Sequence, residues 1–374
     1  MKKILVLGAG MVGSVIAAHL NLDFDVTLAD ISEDRLRSIE KKYGLKTSQF
    51  DANDSLALRS QMSDYDLIVG ALPGFMGFNV LRHVISSGKD IVDISFFPEN
   101  PFELDELAKE NKVTAIVDFG VAPGMMHFIL GYYNKTMQID DFACYVGGLP
   151  VERTYPYEYK APFSPVDVIE EYTRPARIIE DGKIVTKPAM SEVEFIEFPG
   201  IGTLEAFNTD GLRTLLKTMN IKNMKEKTCR YPGHIEKIKL LKESGFFSED
   251  EIEINGKQIR PIDITNKVLF DKWKLNPEDD ELTVMKIIIG GKNKGEKVRI
   301  EYNMTDRRDN NTGFSSMART TGFACTGAVR LFLDGKFDRK GIIPPEYIGE
   351  YRDCYHDIME FMKSRNIIYH KTVY

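Results

Sequence analysis

Apolar positions along the first 120 residues fall into two rhythms that trade places. Residues 4–7 form an unbroken apolar run, as expected of a strand buried on both faces. Val12, Val15, Ile16 and Leu20 then recur at three- and four-residue steps, which predicts a helix. The exchange repeats down the chain. DVTLAD is a strand, LRSIEKKYG a helix stopped by Gly44, and YDLIVGALP a strand over 65–72. FNVLRHVISSG is a helix, DIVDIS a strand, ELDELAKENK a helix and TAIVDFG a strand. Strand and helix alternating every ten to fifteen residues predict a doubly wound parallel sheet, an α/β Rossmann-type domain over 1–124. Ligands of such sheets sit beyond the carboxyl ends of the strands, which places the chemistry at 72–78, 93–96 and 118–125.

Past Gly124 the rhythm changes. DDFACYVGGLP, EVEFIEF, TLEAFN and KEKTCRY are strand-like with few helices between them. ELTVMKIIIGG and EKVRIEYNM flank KNKG as a long hairpin, and Asn255-Gly256 marks a tight one. The expectation is an α+β domain over 125–317, on a mixed and largely antiparallel sheet. From Ser315 the pattern is helical again. SSMARTTGFACTGAVRLFLDG reads as one helix and PPEYIGEYRDCYHDIMEFMKSR as another, so residues 318–374 are expected to pack back on the first domain.

Composition narrows the class. The chain of 374 residues is 43% hydrophobic and 28% charged, with a net charge of −7, which fits a globular protein and argues against a general nucleic-acid surface. Its four cysteines form no Cys-x-x-Cys pair and its six histidines no His-Glu-x-x-His spacing, so no metal site is expected. No stretch of 18 apolar residues occurs, and glycines interrupt the first apolar run before any cleavage signal. A cytoplasmic protein with no membrane contact is expected.

The opening carries the first chemistry. Gly8, Gly10 and Gly13 match G-x-G-x-x-G between strand and helix: Gly8 for a tight turn, Gly10 for close approach of a pyrophosphate, Gly13 for helix–strand packing. Met11 and Val12 begin the helix whose free N–H groups would face phosphates. Asp30 ends the second strand twenty positions past Gly10, where a carboxylate accepts the ribose hydroxyls of NAD and repels a 2′-phosphate. NAD is therefore favoured over NADP, with Arg35 nearby as the counter-signal. Ala71, Leu72 and Pro73, after the 65–72 strand, are further candidate cofactor contacts.

DFGVAPGM, YVGGLP, LEAFNTDG, CRYPGH, EINGKQIRP and MARTTGF, in that order, resemble the saccharopine dehydrogenase-like family, nearest its L-lysine 6-dehydrogenase branch. The resemblance implies an NAD-dependent oxidation of the lysine ε-amine to the semialdehyde with release of ammonia, by a homodimer. A saccharopine dehydrogenase or other opine-type reductase is the alternative, and a non-catalytic NAD-sensing protein the third reading. Saccharopine reductases resemble EIGLDPGID where this chain has DFGVAPGMM, so their aspartate falls on Ala122 and their glutamate on Asp118.

An amino-acid substrate brings a carboxylate, for which a guanidinium is the bidentate partner. Arg230 is the candidate clamp, with Tyr231 as an added donor; an ion pair within the domain is the competing role for Arg230. Arg213 and Thr209 are further candidates for substrate contact. A base must take a proton from the substrate ammonium, and Asp118, His234 and Asp93 are the candidates, Asp118 first. Against these stand turn capping for the two aspartates and a backbone contact for His234. Phe96 and Phe97 are expected in ordinary packing, with cover for the nicotinamide ring as the alternative, and Glu171 and Tyr172 lie on a helix that could face the amine.

Overall fold

The computed structural model describes all 374 residues. Its first sheet is parallel throughout. β1 (Lys3–Leu7) lies between β2 (Asp25–Asp30) and β4 (Leu67–Gly70); β3 (Lys46–Gln49) forms one edge, and β5 (Ile91–Asp93) and β6 (Thr114–Ile116) continue the other side. This is the doubly wound strand order, reversing between β1 and β4, so the crevice at their carboxyl ends is the ligand position of the fold. β3 is absent from the sequence reading because KTSQ has no apolar face: an edge strand needs only its backbone to pair.

The tail divides between the two sheets. Strand Gly341–Ile343 adds in parallel to β6 as a seventh strand, while His370–Val373 pairs antiparallel with Glu296–Arg307 of the second sheet. The 318–374 segment therefore serves both units. Its second expected helix is two, Pro345–Gly349 and Arg352–Lys363. The break follows Gly349, where a Cβ would come 2.0 Å from the Phe128 carbonyl oxygen, so the backbones touch there.

The second sheet runs in the order Glu194–Phe198, Gly202–Asn208, Asn223–Arg230, Gln138–Pro150, Glu281–Asn293, Glu296–Arg307, His370–Val373. Only the pairing of Asn223–Arg230 with Gln138–Pro150 is parallel, so the sheet is mixed and mainly antiparallel. The long hairpin closes on two residues, Lys294 (φ 51°) and Gly295 (φ 90°), tighter than KNKG alone implies and of the handedness that matches strand twist. Asn255 and Gly256 close the short hairpin the same way.

One apolar core joins the two sheets. It runs from Ile4 and Val6 through Ile16 and Leu20, across Phe128, Ala324 and Val329, to Ile287 and Tyr302. The sheets are thus fixed to each other by packing, and the crevice between them has a shared floor. No helix is long and apolar enough to cross a membrane.

Gly131 tests this floor. In an open helix interior, Gly→Ala stabilises by about 1 kcal/mol. Here the new Cβ would lie 2.1 Å from the Glu346 carbonyl oxygen. Gly131→Ala should therefore destabilise by about 1–3 kcal/mol in urea unfolding; a stabilised variant would show that this helix contact is loose.

Candidate functional site

The dinucleotide end is built by close backbone contacts. Gly8 has φ +106°, and a Cβ there would meet the Ala71 carbonyl oxygen at 2.4 Å; at Gly13 it would meet the Gly8 carbonyl oxygen at 2.0 Å. Gly10 differs: a Cβ would meet nothing within 4 Å. Its smallness is required by no protein neighbour, which is what a cradle for an outside group looks like. Helix Met11–Leu20 begins there with no side-chain cap and no acidic residue in its first turn, leaving its positive end available to an anion. Asp30 is half-buried at the tip of β2, its carboxylate fastened by the Ala9 N–H (2.7 Å) and the Ser32 N–H (2.8 Å). These residues fit a dinucleotide.

Ala71, Leu72 and Pro73 border the same crevice. Ala71 N–H donates to the Leu7 carbonyl (2.9 Å), and Leu72 N–H donates to Ser95 Oγ (3.3 Å). Ser95 in turn donates through its N–H (2.9 Å) and hydroxyl (3.1 Å) to Asp93. Asp93 is 1% exposed, and burial, augmented by the Asp118 charge, pushes its carboxyl up to about 8 against the Ser95 hydrogen bonds. Both of its oxygens already accept from Ser95, so Asp93 is tied to its own loop and does not stand open as the base that the sequence allowed.

Asp118 sits at φ +58°, just past β6, and its side chain is fully buried. Arg213, itself at φ +44°, reaches across from the second domain and donates Nε–H to Asp118 Oδ2 at 2.8 Å. Its Nη1 donates to the Phe97 carbonyl. Two atoms of this buried pair remain without partners, Asp118 Oδ1 and Arg213 Nη2. Arg213 is therefore bound to the candidate base and is not an independent clamp. His127, missed by the sequence reading, closes the same joint: Nδ1 accepts from the Gly124 N–H (3.2 Å) and Nε2–H donates to the Leu212 carbonyl (3.0 Å).

The CRYPGH residues lie elsewhere than expected. The Arg230 guanidinium is 2% exposed and held on all sides: Nε–H to Tyr172 Oη (3.1 Å), Nη1 to the Cys229 carbonyl (3.0 Å), Nη2 to Tyr159 Oη (3.3 Å) and Glu171 Oε2 (2.5 Å). Tyr172 O–H then donates to His234 Nε2 (3.0 Å), and His234 Nδ1–H to the Tyr157 carbonyl (2.9 Å). This directed chain satisfies each polar group it passes through, and burial beside Arg230 lowers His234 to about 3. His234 is a neutral core histidine with both nitrogens used, so the expectation of a base there gives way. The open clamp at Arg230 gives way as well, because Glu171 and two phenols already fill it.

Tyr231 donates its hydroxyl to the Pro150 carbonyl (2.9 Å), beneath Arg153. Thr209 donates to Glu226 Oε2 (2.6 Å), and Glu226, pushed up to about 8 by burial, also accepts from Gly211 N–H. Neither side chain is free for a substrate.

Helix Pro165–Thr173 provides what those residues do not. Asp167 Oδ1 accepts from Gly74 N–H at 3.4 Å, and just past the helix Arg174 stands 5.0 Å from the centre of the Phe96 ring. Both contacts are to the dinucleotide domain, at the loops after β4 and β5. The i, i+4, i+7 spacing of Asp167, Glu171 and Arg174 was a readable signal for one polar stripe facing the crevice.

Two family models match. Residues 4–116 match the saccharopine dehydrogenase NADP binding domain, and 120–368 the saccharopine dehydrogenase C-terminal domain. The chain belongs to the saccharopine dehydrogenase family. Among its relatives, mitochondrial alpha-aminoadipic semialdehyde synthase of Bos taurus is 23% identical over 98% of this chain and 47% of that one. The chain thus spans about half the length of the first curated relatives it matches. Saccharopine dehydrogenase [NADP(+), L-glutamate-forming] of Saccharomyces cerevisiae is 25% identical, over 99% of this chain and 98% of that one. The solved apo structure of the Saccharomyces cerevisiae L-Glu-forming saccharopine dehydrogenase aligns with TM-score 0.82, 20% identity and full coverage of both chains. Homospermidine synthase from Legionella pneumophila, in complex with NAD, aligns with TM-score 0.68 and 13% identity over 99% and 91%. At these identities the solved structures establish the shared fold.

Gly10→Ala and Gly13→Ala separate two roles. Gly10→Ala should leave the melting temperature nearly unchanged and weaken dinucleotide binding at least tenfold by titration, because its Cβ enters open space. Gly13→Ala should lower stability as well. Equal dinucleotide affinity for wild type and Gly10→Ala would remove the cradle.

The buried acids set a pH window. Asp93 and Glu226 near 8, with Glu281 and Glu346 near 7, all raised first by burial, keep protons that the unfolded chain loses near pH 4. Unfolding therefore releases protons, and stability falls as pH rises through that range. His19, His127 and His234, lowered by burial, oppose this only below about 6.5, the unfolded imidazole value. Between pH 6.5 and 8 only the acids among these groups act, so the melting temperature should fall, and Asp93→Asn should flatten the slope by up to about 1.4 kcal/mol per pH unit. An unaltered slope in Asp93→Asn would mean that Asp93 is ionised in the fold.

Proposed function

We propose that this chain is a nicotinamide-dependent oxidoreductase acting on a C–N bond, and that its substrate is the ε-amine of L-lysine, oxidised with NAD to the semialdehyde and ammonia. The observation that carries the reading is the buried Asp118 carboxylate with one oxygen unpartnered, just past β6 of the parallel sheet whose β1 leads into the Gly10 cradle. Family membership supports oxidation at a C–N bond, and the relatives include a carboxyaminopropylagmatine dehydrogenase of Synechocystis.

Gly8, Gly10 and Gly13, the amino end of the first helix, Asp30 and the Ala71, Leu72 and Pro73 loop would hold the dinucleotide. When bound, the dinucleotide would supply the hydride acceptor for the carbon bearing the amine, and water would hydrolyse the substrate imine to the carbonyl and ammonia. Asp118 Oδ1 accepts the proton that the substrate ammonium must lose before hydride can leave. Arg213 orients that carboxylate. Asp93, neutral at pH 7, adds no second negative charge and fixes the Leu72 loop through Ser95. Asp30 supports NAD, since its charge opposes a 2′-phosphate.

Saccharopine is the second reading, favoured by the saccharopine dehydrogenases among the relatives. Ala122, where saccharopine reductases resemble an aspartate, supports lysine instead. Absorbance at 340 nm decides between them. Growth with NAD and lysine is expected, and growth only with NADP and saccharopine would overturn the lysine reading. Asp118→Asn should lower kcat by about 10²–10⁴-fold with NAD affinity retained; an unchanged kcat would release Asp118 from its role.

A further inference from the structure

The stripe on helix Pro165–Thr173 carries a polar pair that neither the fold nor the core explains. Val168, Ile169 and Tyr172 form the buried face of this helix. Asp167 and Arg174, one turn to either side of Glu171, both touch the dinucleotide domain, at Gly74 and Phe96. Glu171 lies between them on the helix and is bound to Arg230.

Its carboxylate is held in an unusual way. Oε2 is fixed by Arg230, whose own position is set by Tyr172, Tyr159 and the Cys229 carbonyl. The side chain stays 17% exposed, and Oε1 makes no hydrogen bond and is not sealed from solvent. One oxygen is therefore anchored to a rigid cation and the other is presented outward, a preorganised acceptor for a cationic donor.

Arg174 is its complement. Nε–H donates to Glu170 Oε2 at 3.3 Å, and Nη2 lies in ion-pair range of the same oxygen at 3.1 Å. Nη1 has no partner and is buried against the half-buried Phe96 ring. A buried guanidinium N–H without an acceptor is costly, and a carboxylate placed beside it would relieve that cost. Arg213, on the same ring at 5.1 Å, gives Nε to Asp118 and Nη1 to the Phe97 carbonyl, and its Nη2 is likewise unpartnered; Arg174 differs in capping the same helix that carries Glu171.

We propose that Glu171 and Arg174 hold the amino-acid head of the substrate, its α-ammonium on Glu171 Oε1 and its α-carboxylate on Arg174 Nη1. This rests on the reading above that the substrate is an amino acid. Arg230 becomes a positioning residue for Glu171. The reacting amine then lies at the far end of the side chain, toward Asp118.

The test uses the full chain with NAD and three amines: lysine, 6-aminohexanoate, which lacks the α-ammonium, and 1,5-diaminopentane, which lacks the carboxylate. Glu171→Gln should lower kcat/KM for lysine about 10–100-fold, through KM, and scarcely affect 6-aminohexanoate. Arg174→Met should lower lysine and 6-aminohexanoate alike and spare 1,5-diaminopentane. Ratios between substrates are independent of the folded fraction, and NADH fluorescence on binding checks the fold. Losses equal across the three amines would overturn the head-group pair. Calorimetric binding to the NAD-loaded chain separates the two claims. Lysine bound with these same selective losses, but not oxidised, upholds the pair and sinks the proposed activity. Lysine oxidised with unselective losses sinks the pair alone.

Discussion

The ion pair between Asp118 and Arg213 is the constraint on which the arrangement of the crevice depends. One partner follows β6 of the first sheet and the other follows strand Gly202–Asn208 of the second; each stands at positive φ, and each is almost wholly buried. Taking both charges out of water is expensive, and removing one alone would leave the other uncompensated at about 3–5 kcal/mol. The pair therefore acts mainly on geometry. With the Arg213 bond to the Phe97 carbonyl and His127 on the Leu212 carbonyl, it sets the second domain against the ends of β5 and β6. The shared apolar core beneath makes that setting rigid.

Given this fixed joint, charge in the crevice sorts by environment. Asp93 and Asp118 are both buried carboxyls near the same strand ends, yet one has only the Ser95 groups as donors and the other has a guanidinium. The first keeps its proton near neutrality, and the second has the partner that a charged carboxylate needs. The two strand ends thus carry one acid tied to its own loop and one ion-paired carboxylate with an unpartnered oxygen. Glu171 and Arg230 repeat the theme a helix away, where the buried cation fixes a carboxylate whose outer oxygen is free.

Much of the fold was legible because burial on two faces leaves an unmistakable mark. Residues 4–7, 67–70 and 91–93 read as strands for that reason, and the glycines announced themselves by their positions between strand and helix. β3 did not, since its polar KTSQ gives no pattern, and the split of the last helix pair depended on the Phe128 backbone across the core. The dinucleotide cradle is a local motif and so could be read locally. Residue type alone misled at Arg230, Tyr231, Thr209 and His234, which have the right chemistry for a site and spend it on neighbouring side chains and on backbone.

What the chain determined by itself was the alternation that builds the parallel sheet, the cradle at Gly10 and the acid at the end of β2. Each depends on neighbours within about thirty residues. What only the tertiary structure decided was which polar groups remain free. A guanidinium is available or occupied according to whether a carboxylate arrives beside it. Glu171 reaches Arg230 from 59 positions away and Asp118 reaches Arg213 from 95, so that accounting closes only in three dimensions.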